Sequence, residues 1–558
     1  MITIQPQYLT LAKLLDGRLF QIPEYQRAYS WTSRQREDLF EDIDQTFTKG
    51  PEEGHFMAAL VCLRRKKQSL GTDEYYIMEV VDGQQRLTTL ITLLNIIKLK
   101  LDKKQRAEAK MREELAELLV KVEGDELLLL QTNHDSSHHF TKFLRIGITS
   151  PSDSATTIAD REILKAIEEC GEFVDAWLKK ERTLADLLGL LKNRLFFLLH
   201  EIDNEKAVYT VFEVLNSRGL DVSWLDRLKS ILMGVAFELK NTNPDGTINE
   251  LHNIWRDIYS VVGLRQGLST EALRFAATLR APEALSRPLG EEASVDVFRA
   301  GATNSKNLKD IAAWLLRVAQ ACDKVIANKR INSVTRISQA RLLATAIHLR
   351  EDINEMERRT LLSRWEKVSF RIYGMLAHDA RTRVGDYVRL AWEVSNRHLS
   401  VQQIDASIKE IGREFQIKAA SDNLRNRDCY EGWESELRYL MFRYEEYLAK
   451  QQNQNFSNEQ WEKIWMVSPS ESIEHVWSQS KAPDKHRHRL GNLVLLPPKL
   501  NSKLQNINPS DKVAAYRKTG LLIAGAVADA IEAGKWNGAA VEARENEILQ
   551  WAAREWAD

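Results

Sequence analysis

Apolar residues recur along most of this chain at intervals of three and four, the spacing that places them on one face of a helix. Leu87, Leu90, Ile91, Leu94, Ile97 and Leu101 form one such stripe, and Leu308, Ile311, Leu315, Val318 and Cys322 another. Both predict helices with one side turned to a core. The segment from about 105 to 130, rich in Glu, Lys and Leu, also reads as helical. Tyr75 to Val81 differs: its aromatic and β-branched residues predict a strand. Ser, Thr, His, Gly and Pro between Asn133 and Ser154 predict loops around one short segment, and His134, His138 and His139 are assigned to those loops. From about 236 to 410 the pattern is almost entirely helical, punctuated by Asn243-Pro244-Asp245-Gly246 and Ala281-Pro282. Trp-rich helices precede Trp465, and no internal repeat or low-complexity tract interrupts the chain. The result is a predominantly α-helical α+β protein in three regions: a mixed α/β part at 1–235, a helical middle at 236–410, and a third part at 411–558.

The 558 residues exceed what one hydrophobic core fills, which predicts two to four domains. Formal net charge is -1, so any nucleic-acid contact has to come from a local patch. One such patch lies between 471 and 520, where nine Lys or Arg face four acids. Cys62, Cys170, Cys322 and Cys429 lie far apart without a C-x-x-C pair, which argues against a zinc ribbon or disulfide framework and for a reducing compartment. The first residues lack the layout of a signal peptide, and no uncharged apolar run is long enough to span a bilayer. These features predict a cytoplasmic protein with no membrane partner.

The chemistry concentrates near the C-terminus, in Glu474-His475-Val476-Trp477-Ser478-Gln479-Ser480, then Gly491-Asn492-Leu493-Val494-Leu495-Leu496, then Asn501-Ser502-Lys503. Phosphodiester hydrolysis requires a deprotonated water, neutralised phosphate charge and a stabilised leaving oxygen. A histidine supplies a base near neutral pH, while a carboxylate and an amide oxygen suit Mg²⁺ or Mn²⁺. Asn492 to Leu496 reads as a strand end, broken by Pro497-Pro498, with Asn501 on a following helix. The bland alternative is a surface Glu-His pair with two turn-capping asparagines; the combination at these intervals outweighs it. This arrangement resembles the HNH, or His-Me finger, nucleases, including the nuclease motif of CRISPR effector enzymes, and the resemblance implies a ββα-metal fold. It implies His475 as general base, Asn492 as the residue orienting it, and Glu474 and Asn501 as metal ligands. Ser478 stands where close relatives usually have proline. Arg487, Arg489, Lys499 and Lys503 are the candidate DNA contacts, with His486 and His488 as loop residues beside them.

Two signatures mark the first region: Ile22-Pro23-Glu24-Tyr25-Gln26-Arg27-Ala28-Tyr29-Ser30-Trp31, and Val81-Asp82-Gly83-Gln84-Gln85-Arg86-Leu87-Thr88-Thr89-Leu90. In the second, a strand ends at Val81 and a helix begins by Gln84. Its backbone N–H groups, with Arg86 and two hydroxyls nearby, form a candidate phosphate site. An ordinary helix cap, or a buried ion-pair network of Arg27, Arg86 and Arg218 with Asp82, Asp221 or Asp226, is the structural alternative. Tyr25, Tyr29 and Trp31 suit either stacking on a base or core packing. The two signatures, with Val211 to Leu220 carrying Asn216 and Arg218, resemble the ParB-like domain of GmrSD-type, type IV restriction proteins. That resemblance implies nucleotide hydrolysis (GTP or another NTP) and sensing of modified DNA through Tyr25, Gln26, Arg27, Asp82, Gly83, Gln84, Gln85, Arg86, Asn216 and Arg218. No Walker-type phosphate loop is present.

Taken together, the sequence predicts a modification-dependent endonuclease of anti-phage defence, acting on double-stranded, modified phage DNA. An NTP-regulated sensing domain at 1–235 would precede a spacer or dimerisation region at 236–410, which allows a homodimer. A metal-dependent nuclease domain would occupy 411–558. The alternative is a nucleotide hydrolase and DNA-binding sensor whose nuclease domain is degenerate.

Overall fold

A computed structural model describes every residue except 1–5, 24–25, 71, 124, 133–136, 152–153, 156, 205–222, 240–243, 264, 398, 426, 455–468, 505 and 535. It is a predominantly helical α+β chain with a mixed sheet, in two compact units. Unit 1 comprises 1–273 and 291–319; unit 2 comprises 274–290 and 320–558. No helix among the described residues is long and apolar enough to cross a membrane.

Unit 1 is built on six strands: β1 (Gln7–Thr10), β2 (Arg18–Ile22), β3 (His55–Leu70), β4 (Asp73–Asp82), β7 (Leu130–Thr132) and β8 (Leu195–Ile202). Their order is β1-β8-β3-β4-β2-β7. β3 and β4 run antiparallel, whereas β2 lies parallel to both β4 and β7. β5 (Val120–Glu123) and β6 (Asp125–Leu128) form a separate antiparallel hairpin. The strand expected at Tyr75–Val81 is the C-terminal part of β4, and the stripe beginning at Leu87 is the following helix, Gln84–Lys100.

That helix is buried on all sides, including Thr88, Thr92 and Asn95 on the face its apolar stripe leaves polar. The polar side chains are accommodated because Thr88 and Thr92 donate to carbonyls one turn back and Asn95 donates to the Phe143 carbonyl. The DGQQR segment therefore sits on a rigid element at the centre of its unit.

Two expectations are corrected. The helix expected over 105–130 spans Arg106–Leu119 and gives way to β5, where the β-branched Val120 favours an extended backbone over continued helix. His138 and His139 belong to the first turn of the helix Ser137–Ile146, not to a loop; His134 lies outside the described residues.

Among the described residues, unit 2 is helical apart from one short antiparallel pair, β9 (Ile473–His475) with β10 (Leu493–Leu495). The helix Pro498–Leu504 follows β10 directly, as Pro497-Pro498 predicts. The Trp-rich stretch before Trp465 lies outside the described residues from 455 on.

Candidate nuclease and sensing sites

In unit 2 the register of β9 on β10 pairs His475 with Leu493 and Glu474 with Val494. Glu474, His475 and Asn492 are all buried. Asn501, on the helix after β10, returns to the same hairpin: its Nδ2 donates to the carbonyls of Glu471 (2.9 Å) and Ile473 (3.0 Å). The local architecture is a strand pair and a helix closed by one amide.

The His475 imidazole is held at both nitrogens. Nε2 bonds His488 Nδ1 at 3.0 Å, and Nδ1 receives Gln479 Nε2 at 3.2 Å. Tyr430 meets His475 edge-on, with ring centroids 4.7 Å apart, and stacks on His488. Burial, then the neighbouring His488 and Lys512, lowers the His475 pKa to about 3, so the ring is neutral near pH 7. An amide N–H on Nδ1 puts the imidazole proton on Nε2, donated to His488. For Nδ1 to accept a proton from water, Gln479 has to yield that position.

Glu474 meets the Lys512 ammonium, which also donates to the His475 carbonyl at 2.7 Å. Burial raises the Glu474 pKa and Lys512 pulls it back. The expected metal ligands thus fit a cation in donor type, with one qualification. A cation at Glu474 has to bind Oε2 or displace Lys512, because Lys512 already holds Oε1.

Asn492 acts on backbone. Its Oδ1 accepts from Trp477 N (2.8 Å), and its Nδ2 donates to the carbonyls of Trp477 (2.9 Å) and Arg487 (2.9 Å). It clamps the segment leaving His475, where the resemblance implied an effect on the base itself. Gly491 is needed beside it: a Cβ there would lie 1.9 Å from the Val541 carbonyl oxygen. Arg544 reinforces the approach by donating to the carbonyls of Gly491 and Leu493. At Ser478 the carbonyl closes the turn, accepting from Lys481 and Ala482.

The expected DNA contacts divide. Lys503 is exposed, and Arg487 is half-buried and paired with Asp484 at 2.5 Å. Arg489 is corrected: its side chain is only 12% exposed and is engaged by Glu545 and by Glu542 at 3.3 Å. The positive surplus counted from 471 to 520 missed these acids, which arrive from the helix Gly538–Glu555. The Lys499 side chain lies outside the described residues. His488, assigned from sequence to a loop beside DNA, is the direct partner of the candidate base. Its other neighbours, Asp428 and Glu431, lie far upstream in sequence, and no spacing rule connects them to it.

In unit 1, β4 delivers Asp82 and Gly83 to the start of the helix Gln84–Lys100. Gly83 is the cap residue at φ +90°, and a Cβ there would lie 2.6 Å from Leu60 Cδ1. Its N–H donates to Asp82 Oδ1 at 2.8 Å. The upstream signature is fastened to this helix start. Gln26 donates to the Val81 carbonyl, Gln84 to that of Arg27, and Gln85 to that of Ala28 while accepting from Ser30 N. Tyr29 shares a hydrogen bond with Thr89 at 2.8 Å, and Arg86 lies over the Trp31 ring. The glutamine N–H groups therefore join two backbone segments, while the buried Gln84 Oε1 has no hydrogen-bond partner among the described residues.

The charged groups cluster beside these segments. Arg27 Nε lies 4.0 Å from Asp226, whose Oδ1 accepts from the Tyr259 hydroxyl. Burial raises the Asp82 pKa against the pull of Gly83 N–H, Arg27 and Arg86. Lys229, buried in the same cluster, is lowered by burial to about 7 while Asp226 draws it upward. A small pocket, partly open to solvent and about 30 Å³ in its interior, is bordered by Arg27, Tyr29, Gln84, Gln85 and Thr88. Tyr25, Asn216 and Arg218 lie outside the described residues.

Two family models match the chain: the N-terminal domain of the GmrSD restriction endonucleases over residues 11–233, and the C-terminal domain of the GmrSD restriction endonucleases over residues 415–551. No curated protein matches it.

Proposed function

The chain belongs to the GmrSD-like type IV restriction endonucleases, and from that premise we propose that it cuts or nicks modified phage DNA at the β9–β10 hairpin under control of its nucleotide-sensing unit. A restriction endonuclease acts on DNA; what is proposed is the dependence on modification, on a divalent cation and on a triphosphate. The observation that carries the nuclease reading is a buried imidazole on a strand pair, next to a carboxylate and closed by the Asn501 amide. His475 is the general base: its Nδ1 takes a proton from the attacking water once Gln479 has yielded, and its Nε2–H is held by His488. Asn492 keeps Trp477 and Arg487 in place, which fixes the exit from the strand that carries the base. Glu474 and Asn501 would hold Mg²⁺ or Mn²⁺, which when bound supplies charge neutralisation at the phosphate and the leaving oxygen. Lys512, competing for Glu474, stabilises that carboxylate in the absence of a cation.

In unit 1, GTP or another NTP is assigned to the DGQQR helix start. Arg27, Arg86 and Lys229 provide positive charge and the helix N-terminus provides backbone donors. The pocket bordered by Arg27, Gln84 and Gln85 is small and partly open to solvent, so a nucleotide would seat against its open side. Modified DNA is the proposed partner; dimerisation through the helical middle is a further proposal, tested by light scattering.

The test is digestion of matched modified and unmodified phage DNAs with Mg²⁺ or Mn²⁺, with and without GTP or ATP, and with EDTA. Nicking of modified DNA that disappears with EDTA and with His475→Ala is the expected result. Triphosphate turnover without nicking would instead mark unit 2 as a DNA-binding remnant. Turnover that survives both Asp82→Ala and Arg86→Ala would move the nucleotide site elsewhere.

A further inference from the structure

In unit 1 the helix Ser137–Ile146 and the helix Ile158–Lys179 bring three ligand-bearing side chains together. His138 and His139 lie with ring centroids 3.7 Å apart. One ligand atom from each of His138, His139 and Asp160 lies within 4.8 Å of the other two. His139 is 2% exposed, and neither of its ring nitrogens has a hydrogen-bond partner among the described residues. A buried imidazole in that state lacks the compensation that buried polar groups normally have. Asp160 is fully buried, and its Oδ2 accepts from Thr157 N at 2.8 Å in a capping box. His138 is exposed, which leaves one side of the cluster open to solvent.

Two imidazoles and one carboxylate are a donor set for a borderline cation, not for Mg²⁺, which prefers oxygen alone. In a tetrahedral zinc site, ligand atoms about 2.0–2.1 Å from the metal are separated by about 3.3 Å. The three ligand atoms, within 4.8 Å of one another, would draw toward that spacing when a metal binds. An anion at the two helix starts is the competing occupant, but the buried Asp160 carboxylate opposes it.

We propose that His138, His139 and Asp160 form a transition-metal site of the Zn²⁺ class, separate from the nuclease hairpin. It would join the starts of two helices at one wall of the sensing unit. Phe140 and Ala159, the neighbours of His139 and Asp160 in sequence, border the same small cavity as Gln84 and Gln85. Metal occupancy would therefore brace the element against which the DGQQR segment rests.

The experiment uses the full chain, stripped with chelator and titrated with Co²⁺ and then Zn²⁺. The d–d absorption of Co²⁺ and the heat of Zn²⁺ binding are followed. Wild type is expected to show nitrogen-ligated Co²⁺ bands that Zn²⁺ abolishes. His138→Ala, at an exposed position, and Asp160→Asn, which keeps a capping oxygen, are each expected to weaken binding by at least about tenfold. His475→Ala is expected to leave the bands unchanged, which separates this site from the hairpin. Absence of the bands in wild type, equal affinity in wild type and His138→Ala, or loss of the bands in His475→Ala would overturn the proposal.

Discussion

Replacing Asn492 by alanine tests whether this residue acts on chemistry or on backbone. Asn492 is fully buried, and its amide makes three short bonds to Trp477 N, Trp477 O and Arg487 O. Alanine leaves these three main-chain groups without the partner they have now. An orphaned buried polar group costs about 1–3 kcal/mol, and water entering the vacated space restores part of that. The expected loss for unit 2 is therefore about 3–5 kcal/mol. With a urea slope of about 2 kcal/mol per molar, the midpoint falls by about 1.5–2.5 M. Tryptophan fluorescence suits the measurement, because Trp477 is bonded to Asn492 through its backbone and Trp536 contacts it through its indole N–H. Asn492→Asp keeps an acceptor for Trp477 N but turns a carboxylate oxygen toward two carbonyls, so it is expected to be no more stable than alanine. DNA nicking is measured on the same samples at a urea-free temperature where the folded fraction is known. A midpoint shift below about 0.3 M together with lost nicking would refute the reasoning, because the side chain would then act on the reaction and not on the strand exit.

Three further outcomes follow from the same geometry. Lys512→Met leaves Glu474 buried without its ammonium and should destabilise unit 2 by about 3–5 kcal/mol in EDTA, with Mg²⁺ recovering more stability than it adds to wild type; equal Mg²⁺ effects would remove Glu474 from the cation site. Gly491→Ala forces a Cβ against a backbone carbonyl that no rotamer change relieves, so soluble folded protein should be lost or its melting temperature should drop sharply, as read by calorimetry. His348, whose pKa burial lowers to about 4 with help from Arg358 and Lys324 and against Glu355, binds its proton more weakly in the folded state than in the unfolded one. Stability is therefore whole above pH about 6.5 and declines as pH falls toward 4, by about 2 kcal/mol at pH 5; His348→Gln should flatten that slope in denaturation series, and an unchanged slope would contradict it.

Much of the site was legible in the chain order because its parts are local. The strand ending at Asp82, the helix starting at Gln84, the proline break before Asn501 and the pairing of a hairpin with a helix are all set by neighbours a few residues apart. Side-chain period, proline geometry and the conformational freedom of glycine act over that range. The need for glycine at 83 was readable as a turn, whereas its close approach to Leu60 was not.

What the tertiary structure decided is how each polar group is spent. Gln26, Gln84 and Gln85 resemble ligand contacts in sequence, yet they join the loop carrying Arg27 to the helix start. Arg489 counts as positive surface until the helix Gly538–Glu555 brings Glu542 and Glu545 against it. His488 becomes the partner of His475, and Lys512 the partner of Glu474, only when segments distant in sequence converge. Hydrogen bonding and charge compensation depend on distance in space, and burial makes each uncompensated group costly. Chain order alone names the candidate groups; packing determines which of them remain available.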